Sequence, residues 1–149
     1  MKSILVFIEG TITGFGTRVD LFGTPQFYAD EELLKDTVSH GSVACMNELA
    51  QIYDIVYIGA RPAETLMATQ KWLKVNGFPD GEIVFDCNQD ERMNQVKELK
   101  KRKEFFAGIG DRWDDNELHL ELGCKSIILK ECEGNWDIVR KYLLNIPVL

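Results

Sequence analysis

Two short runs carry residue types that could do chemistry. Gly108-Ile-Gly-Asp-Arg-Trp-Asp-Asp-Asn116 sets Asp111, Asp114 and Asp115 in one turn, and Ile4-Leu-Val-Phe-Ile8 runs into Glu9-Gly10-Thr11. Several carboxylates in one turn repel one another, and a hard cation that takes oxygen ligands, such as magnesium, offsets the repulsion. The same residues suit a solvated acidic loop that caps the next helix, with Asp114 or Asp115 accepting backbone amides. Spacing alone leaves both readings open. Groups suited to an anion stand at Gly59-Ala60-Arg61 and in the charged stretch that contains Arg92. The fixed fork of donors on Arg61 can grip an anion, and it equally suits an ion pair at a helix edge.

Alternating apolar strands and helices must position these groups. Residues 4–8 read as a strand, and Gly10, Gly14, Gly16 and Gly23 then break up a loop-like stretch. Residues 31–51 have the spacing of one or two helices, 55–58 of a strand, and 62–76 of a helix with Pro62 in its first turn and Gly77 at its stop. The pattern continues as strand 82–85, charged helix 90–102, strand 105–109, helix 114–122 with Gly123 behind it, strand 125–129 and helix 134–144. Strands that are apolar throughout predict a parallel sheet covered on both faces, with ligands beyond the carboxyl ends of the strands. That edge collects Glu9, Gly59, Arg61, Asp86, Asp111 and Asp115.

Gly110-Asp111-Arg-Trp-Asp-Asp115 resembles the fourth motif of the haloacid dehalogenase superfamily, a Gly-Asp-x-x-x-Asp pattern whose acids hold magnesium. Arg61-Pro-Ala-Glu-Thr-Leu-Met-Ala-Thr-Gln-Lys-Trp-Leu73 with Asn76-Gly-Phe-Pro79 is similar to the second strand and helix of its small phosphatases. The resemblance runs from residue 4 to about 129. It implies a Rossmann-like three-layer α/β/α sandwich with a mainly parallel five-stranded sheet, no large cap, and one domain over residues 1–149. It further implies Asp111 and Asp115 as magnesium ligands, Glu9 as a magnesium ligand through its backbone carbonyl, and Glu9 as a residual acid and base. Gly10, Thr11, Gly59, Ala60, Arg61, Arg92 and Trp113 would then lie about a phosphate or another ligand.

The resemblance fails at the first motif. Phe7 stands where the superfamily has its nucleophilic Asp, and a phenyl ring has no lone pair to attack phosphorus or bind a metal. Its bulk is expected to put apolar surface where phosphate would sit. Glu9 is a poor substitute, because a displacement of roughly 1 Å already costs about 10²-fold in rate. Gly59 lacks the hydroxyl usual in the second motif, where a glycine also suits a tight turn. Arg92 or Met93 falls near the expected Lys, with neither assignment secured.

The 149 residues carry 17 Lys and Arg against 24 Asp and Glu, a net charge of −7, so no nucleic-acid partner is expected. No apolar run reaches membrane-spanning length, so no membrane association is expected, and a cytoplasmic location with reduced, structural cysteines follows. Trp72 and Trp136 read as core, and His40 and His119 as surface or helix-packing residues. Residues 13–30, with Phe15, Phe22, Phe27 and Tyr28, occupy the interval of the superfamily's flap. They either present a surface to a protein partner or anchor the loop to the core.

Three functions follow. The first is a weakened or inactive member, a pseudoenzyme with an anion or weak magnesium pocket and a binding or regulatory role toward a phosphorylated small molecule or other anion. The second is a magnesium-dependent phosphomonoester hydrolase of unconventional geometry. The third is a structural or protein-interaction module.

Overall fold

A computed structural model describes residues 1–145. Five strands, β1 (Ser3–Phe7), β2 (Asp54–Gly59), β3 (Glu82–Phe85), β4 (Phe105–Gly110) and β5 (Lys125–Ile128), form one sheet in the order β3-β2-β1-β4-β5. Every pairing is parallel, as continuous apolar strands require when both faces are covered. The central strand β1 is buried along its whole length.

The two-residue period of β1 divides its side chains between the faces. Ile4, Val6 and Ile8 join Tyr57, Ile109, Trp72 and Trp136 on the face covered by α2 (Ser42–Leu49), α3 (Leu66–Val75) and α6 (Trp136–Leu143). Leu5 and Phe7 join Val56, Ile58, Val96, Leu99 and Leu118 under α4 (Gln89–Arg102) and α5 (Trp113–Leu122). Both tryptophans are therefore core, as expected. His119 is buried too, its ring packed where a Cβ on Gly108 would come within 2.0 Å.

Local chemistry sets the helix ends. Asn88 accepts the amides of Asp90 and Glu91 to start α4, which carries acids in its first turn and Lys100, Lys101 and Arg102 in its last. The expected helix 62–76 starts later, because Pro62 leads into a 3-10 turn, Ala63–Thr65, before α3. The stretch 31–51 resolves into α1 (Asp30–Leu33) and α2, with Gly41 at φ 83° directly before the second. Residues 13–30 contain two 3-10 helices, Gly16–Leu21 and Pro25–Tyr28, where a loop is expected. No described helix is long and apolar enough to cross a membrane.

Candidate functional site

The carboxyl ends of β1, β2 and β4 bring the first-motif turn, Arg61 and the Asp loop together. Asp111 leaves β4 directly beneath the turn after β1, and its Oδ1 accepts the Thr11 hydroxyl at 2.8 Å. A Cβ on Gly10, where φ is 81°, would come within 2.5 Å of Asp111 Oδ2, so this approach requires glycine. Asp115 Oδ2 accepts the amides of Asp111 at 2.9 Å and Arg112 at 3.2 Å, which caps α5. Helix capping is therefore one role of the acidic turn, although the two side chains concerned are buried and not solvated.

Each acid also keeps one buried oxygen, Asp111 Oδ2 and Asp115 Oδ1, without a hydrogen-bond partner. Burial pushes the Asp111 carboxyl up to about 7, against the hydrogen bond from Thr11. Burial likewise pushes Asp115 up to about 6, against the amides of Asp111 and Arg112.

Phe7 is 3% exposed and belongs to the apolar cluster beneath α4 and α5. The expectation that it lays apolar surface open at the site is corrected: the period of β1 turns it into the core. Glu9, 6% exposed, is equally enclosed. Its Oε2 accepts Arg18 Nη2 at 2.9 Å and its Oε1 accepts Arg61 Nε. Asp36 completes the group, taking Arg18 Nε at 2.7 Å, Arg18 Nη2 at 2.8 Å and Arg61 Nη2 at 3.0 Å. The remaining donors also have partners, with Arg18 Nη1 on the Phe27 carbonyl at 3.0 Å and Arg61 Nη1 on Thr69 Oγ1 at 2.7 Å. Burial pulls the Arg18 guanidinium down, but the hydrogen bond to Asp36 and the fields of Glu9 and Asp36 outweigh it, so its net shift is upward. Two cations and two anions thus neutralise each other inside the protein. Arg61 is thus an ion-pair residue, one of the two roles its sequence position suits, but it is fully buried and not at the surface.

The other expected ligand-binding residues are also engaged. A Cβ on Gly59 would come within 2.8 Å of the Phe85 ring, so its missing side chain makes room for that ring, and no positive φ is involved. The Ala60 carbonyl accepts the Tyr28 hydroxyl at 3.2 Å. Arg92 donates to the Asp86 carbonyl at 2.7 Å and to Gln89 Oε1 at 2.9 and 3.2 Å, tying the start of α4 to the end of β3. Trp113 is 80% exposed and lines a shallow hollow with Asp111, Arg112 and Ile128.

No family model and no curated protein matches the chain by sequence. Solved structures match it by shape. A class C acid phosphatase from Bacillus anthracis superposes with a TM-score of 0.65 at 18% identity, over 99% of this chain and 74% of that one. A haloacid dehalogenase-like hydrolase from Streptococcus pneumoniae superposes with a TM-score of 0.64 at 14% identity, over 94% of this chain and 90% of that one.

The fold is haloacid dehalogenase-like, with no large cap domain among the described residues.

A chain of a Pnkp1/Rnl/Hen1 complex shares this fold at a TM-score of 0.65 and 15% identity, with 90% of the present chain covering 47% of it. The present chain thus spans about half of that one. A haloacid dehalogenase family enzyme from Bacteroides thetaiotaomicron, in complex with magnesium and inorganic phosphate, matches at a TM-score of 0.59 and 14% identity, over 93% of this chain and 98% of that one. Identities this low carry the fold and not the activity.

The donor set of the present chain does not fit a catalytic magnesium ion. Asp111 Oδ2 and Asp115 Oδ1 accept no hydrogen bond and are oxygens of the right type, and Glu9 would give its main-chain carbonyl, but the Phe7 ring supplies no oxygen where the set needs a carboxylate, and Arg112 Nε already lies 3.8 Å from Asp111 Oδ2. Among the described residues no three His, Cys, Asp or Glu side chains are grouped to hold a metal. Arg18 and Asp36 are the site residues missed in the sequence. The available signal was that Arg18 is the one Lys or Arg between Lys2 and Lys35, placed among aromatic and glycine residues.

Proposed function

We propose that this chain is a haloacid dehalogenase-like protein that has lost phosphoryl transfer and serves a binding or regulatory role. The observation that carries the reading is the burial of Phe7, at the position of the nucleophile, within an apolar cluster. Covalent catalysis needs an activated lone pair within reach of phosphorus, and this position supplies none. Glu9 does not replace it, because both of its carboxylate oxygens are held by guanidinium groups, Oε2 by Arg18 and Oε1 by Arg61, away from any attack on phosphorus. Acid and base work by Glu9 is hindered in the same way.

The role left to the chain is recognition. Residues 13–30 present Val19 and Phe22, the latter 79% exposed, over the buried anchors Arg18 and Phe27. Both expectations for this segment thus have support: it is anchored to the core and it still offers an apolar outer face to a protein partner. The test is magnesium-dependent phosphate release from a panel of phosphomonoesters, with wild type and Asp111→Asn prepared in parallel. Neither protein should release phosphate above the buffer rate. Release by the wild type that disappears in Asp111→Asn would show an enzyme of displaced geometry and overturn the reading.

A further inference from the structure

We propose that Arg18 and Arg61 form an oxyanion cradle that the chain keeps filled with its own Glu9 carboxylate, with the segment Gly16–Tyr28 as the latch. The inference rests on the geometry of the charged group and holds whether or not the protein turns over a phosphoester.

The two Glu9 oxygens are divided between two guanidiniums, Oε2 to Arg18 and Oε1 to Arg61. A small free carboxylate or phosphate would be held in the same way, each oxygen receiving a charge-assisted N–H. Asp36 is the inner acid, with a fully buried side chain, whereas Glu9 is the outer one and keeps a little exposure. Glu9 also lies just past the end of β1, at the sheet edge where this architecture opens its ligand crevices. It is therefore the exchangeable acid of the pair.

The latch follows from where the two arginines sit. Arg61 follows β2 and belongs to the body, while Arg18 belongs to the segment Gly16–Tyr28. That segment is mostly exposed and has two buried anchors, Arg18 and Phe27. The Phe27 ring lies 4.5 Å from the Arg18 guanidinium, and the Phe27 carbonyl accepts from it. Both anchors thus depend on one charge balance. Gly16 and Gly23, at φ 54° and 84°, lie in the segment and supply conformations that other residues rarely adopt. With Glu9 removed, two buried guanidiniums face Asp36 alone, and the excess charge drives Arg18 and its segment toward water. An external oxyanion in the vacated space restores the balance and the docked segment.

The test uses the full chain bearing Glu9→Ala, with formate, acetate and inorganic phosphate titrated separately at constant ionic strength against chloride. Melting temperature and amide exchange of residues 16–28 are followed. The variant should melt below wild type, and at least one of the three anions should raise its melting temperature saturably by about 5 °C or more while wild type moves by about 1 °C or less. The same anion should slow exchange of 16–28 at least about tenfold. Response to formate and acetate alone assigns the cradle to carboxylates, and response to phosphate alone assigns it to phosphate-type ligands. A variant that responds to none of them, or no more than wild type, overturns the proposal. Should Glu9→Ala not fold, failure of all three anions to restore folding counts the same way. Glu9→Gln fills the space without the charge, so its 16–28 amides should exchange at least about tenfold faster than wild type with no anion effect. Unchanged protection there contradicts the latch.

Discussion

Replacing Asp111 by Asn should stabilise the protein at alkaline pH and leave it unchanged in acid. Burial raises this carboxyl from 3.8 to about 7, so between those values the native state binds a proton that the unfolded chain releases. A group with a raised folded pKa contributes stability below its unfolded pKa and loses that contribution as pH rises through its folded pKa. At 1.36 kcal/mol per unit the shift has a ceiling of about 4 kcal/mol, and sharing of charge with Asp115 sets a working range of about 2–4 kcal/mol. The substituted amide keeps an acceptor for the Thr11 hydroxyl and never ionises. At about pH 8, in EDTA to exclude metal binding, Asp111→Asn should therefore gain about 2–4 kcal/mol in urea unfolding and about 5–12 °C in melting temperature. At about pH 3.5 the two proteins should coincide, since both native and unfolded carboxyls are then mostly protonated. A variant no more stable than wild type at about pH 8 would show that Asp111 does not carry a buried, uncompensated charge.

Three further outcomes follow. Phe7→Ala should lose about 3–5 kcal/mol by urea unfolding, because it empties a fully packed site under α4 and α5, whereas Phe7→Leu should lose less than about 1.5 kcal/mol. Arg18→Met should cost about 3–5 kcal/mol by stranding buried acids, and Arg18→Met combined with Glu9→Leu should recover part of it, since Arg61 and Asp36 remain as a balanced pair. Burial holds His119 down to about 4, so its contribution is present above the unfolded value of 6.5 and is lost as pH falls through its folded value. Melting of His119→Gln should accordingly show a shallower acid loss than wild type, by up to about 3 kcal/mol across that window.

The strands and helices were legible because they rest on local signals. Continuous apolar runs such as Ile55–Ile58 mark doubly covered strands, and Pro62, Gly77 and Gly123 mark helix ends. The Asp loop was legible for the same reason, since its acids follow one strand end directly. What a single sequence did not show was the partnership of Glu9, Arg18, Asp36 and Arg61, which depends on side chains from separate segments meeting in space. Arg61 and Glu9 each look available when read alone, and only their mutual hydrogen bonds reveal that both are engaged. Gly59 shows the same limit: its reason is the Phe85 ring on the neighbouring strand, a contact across the sheet. The resemblance aligns Phe7 with the superfamily's nucleophile, but the direction of its ring required the face of β1 to be known.

With Phe7 packed into the core and Glu9 held by Arg18 and Arg61, no side chain at the end of β1 or β4 should accept a phosphoryl group. Intact-mass and peptide mass spectrometry of the protein quenched in acid after exposure to magnesium and acetyl phosphate tests it. The protein should keep its unmodified mass at every time point, and a phosphorylated peptide containing Glu9 or Asp111 would show a working nucleophile and refute the loss of phosphoryl transfer.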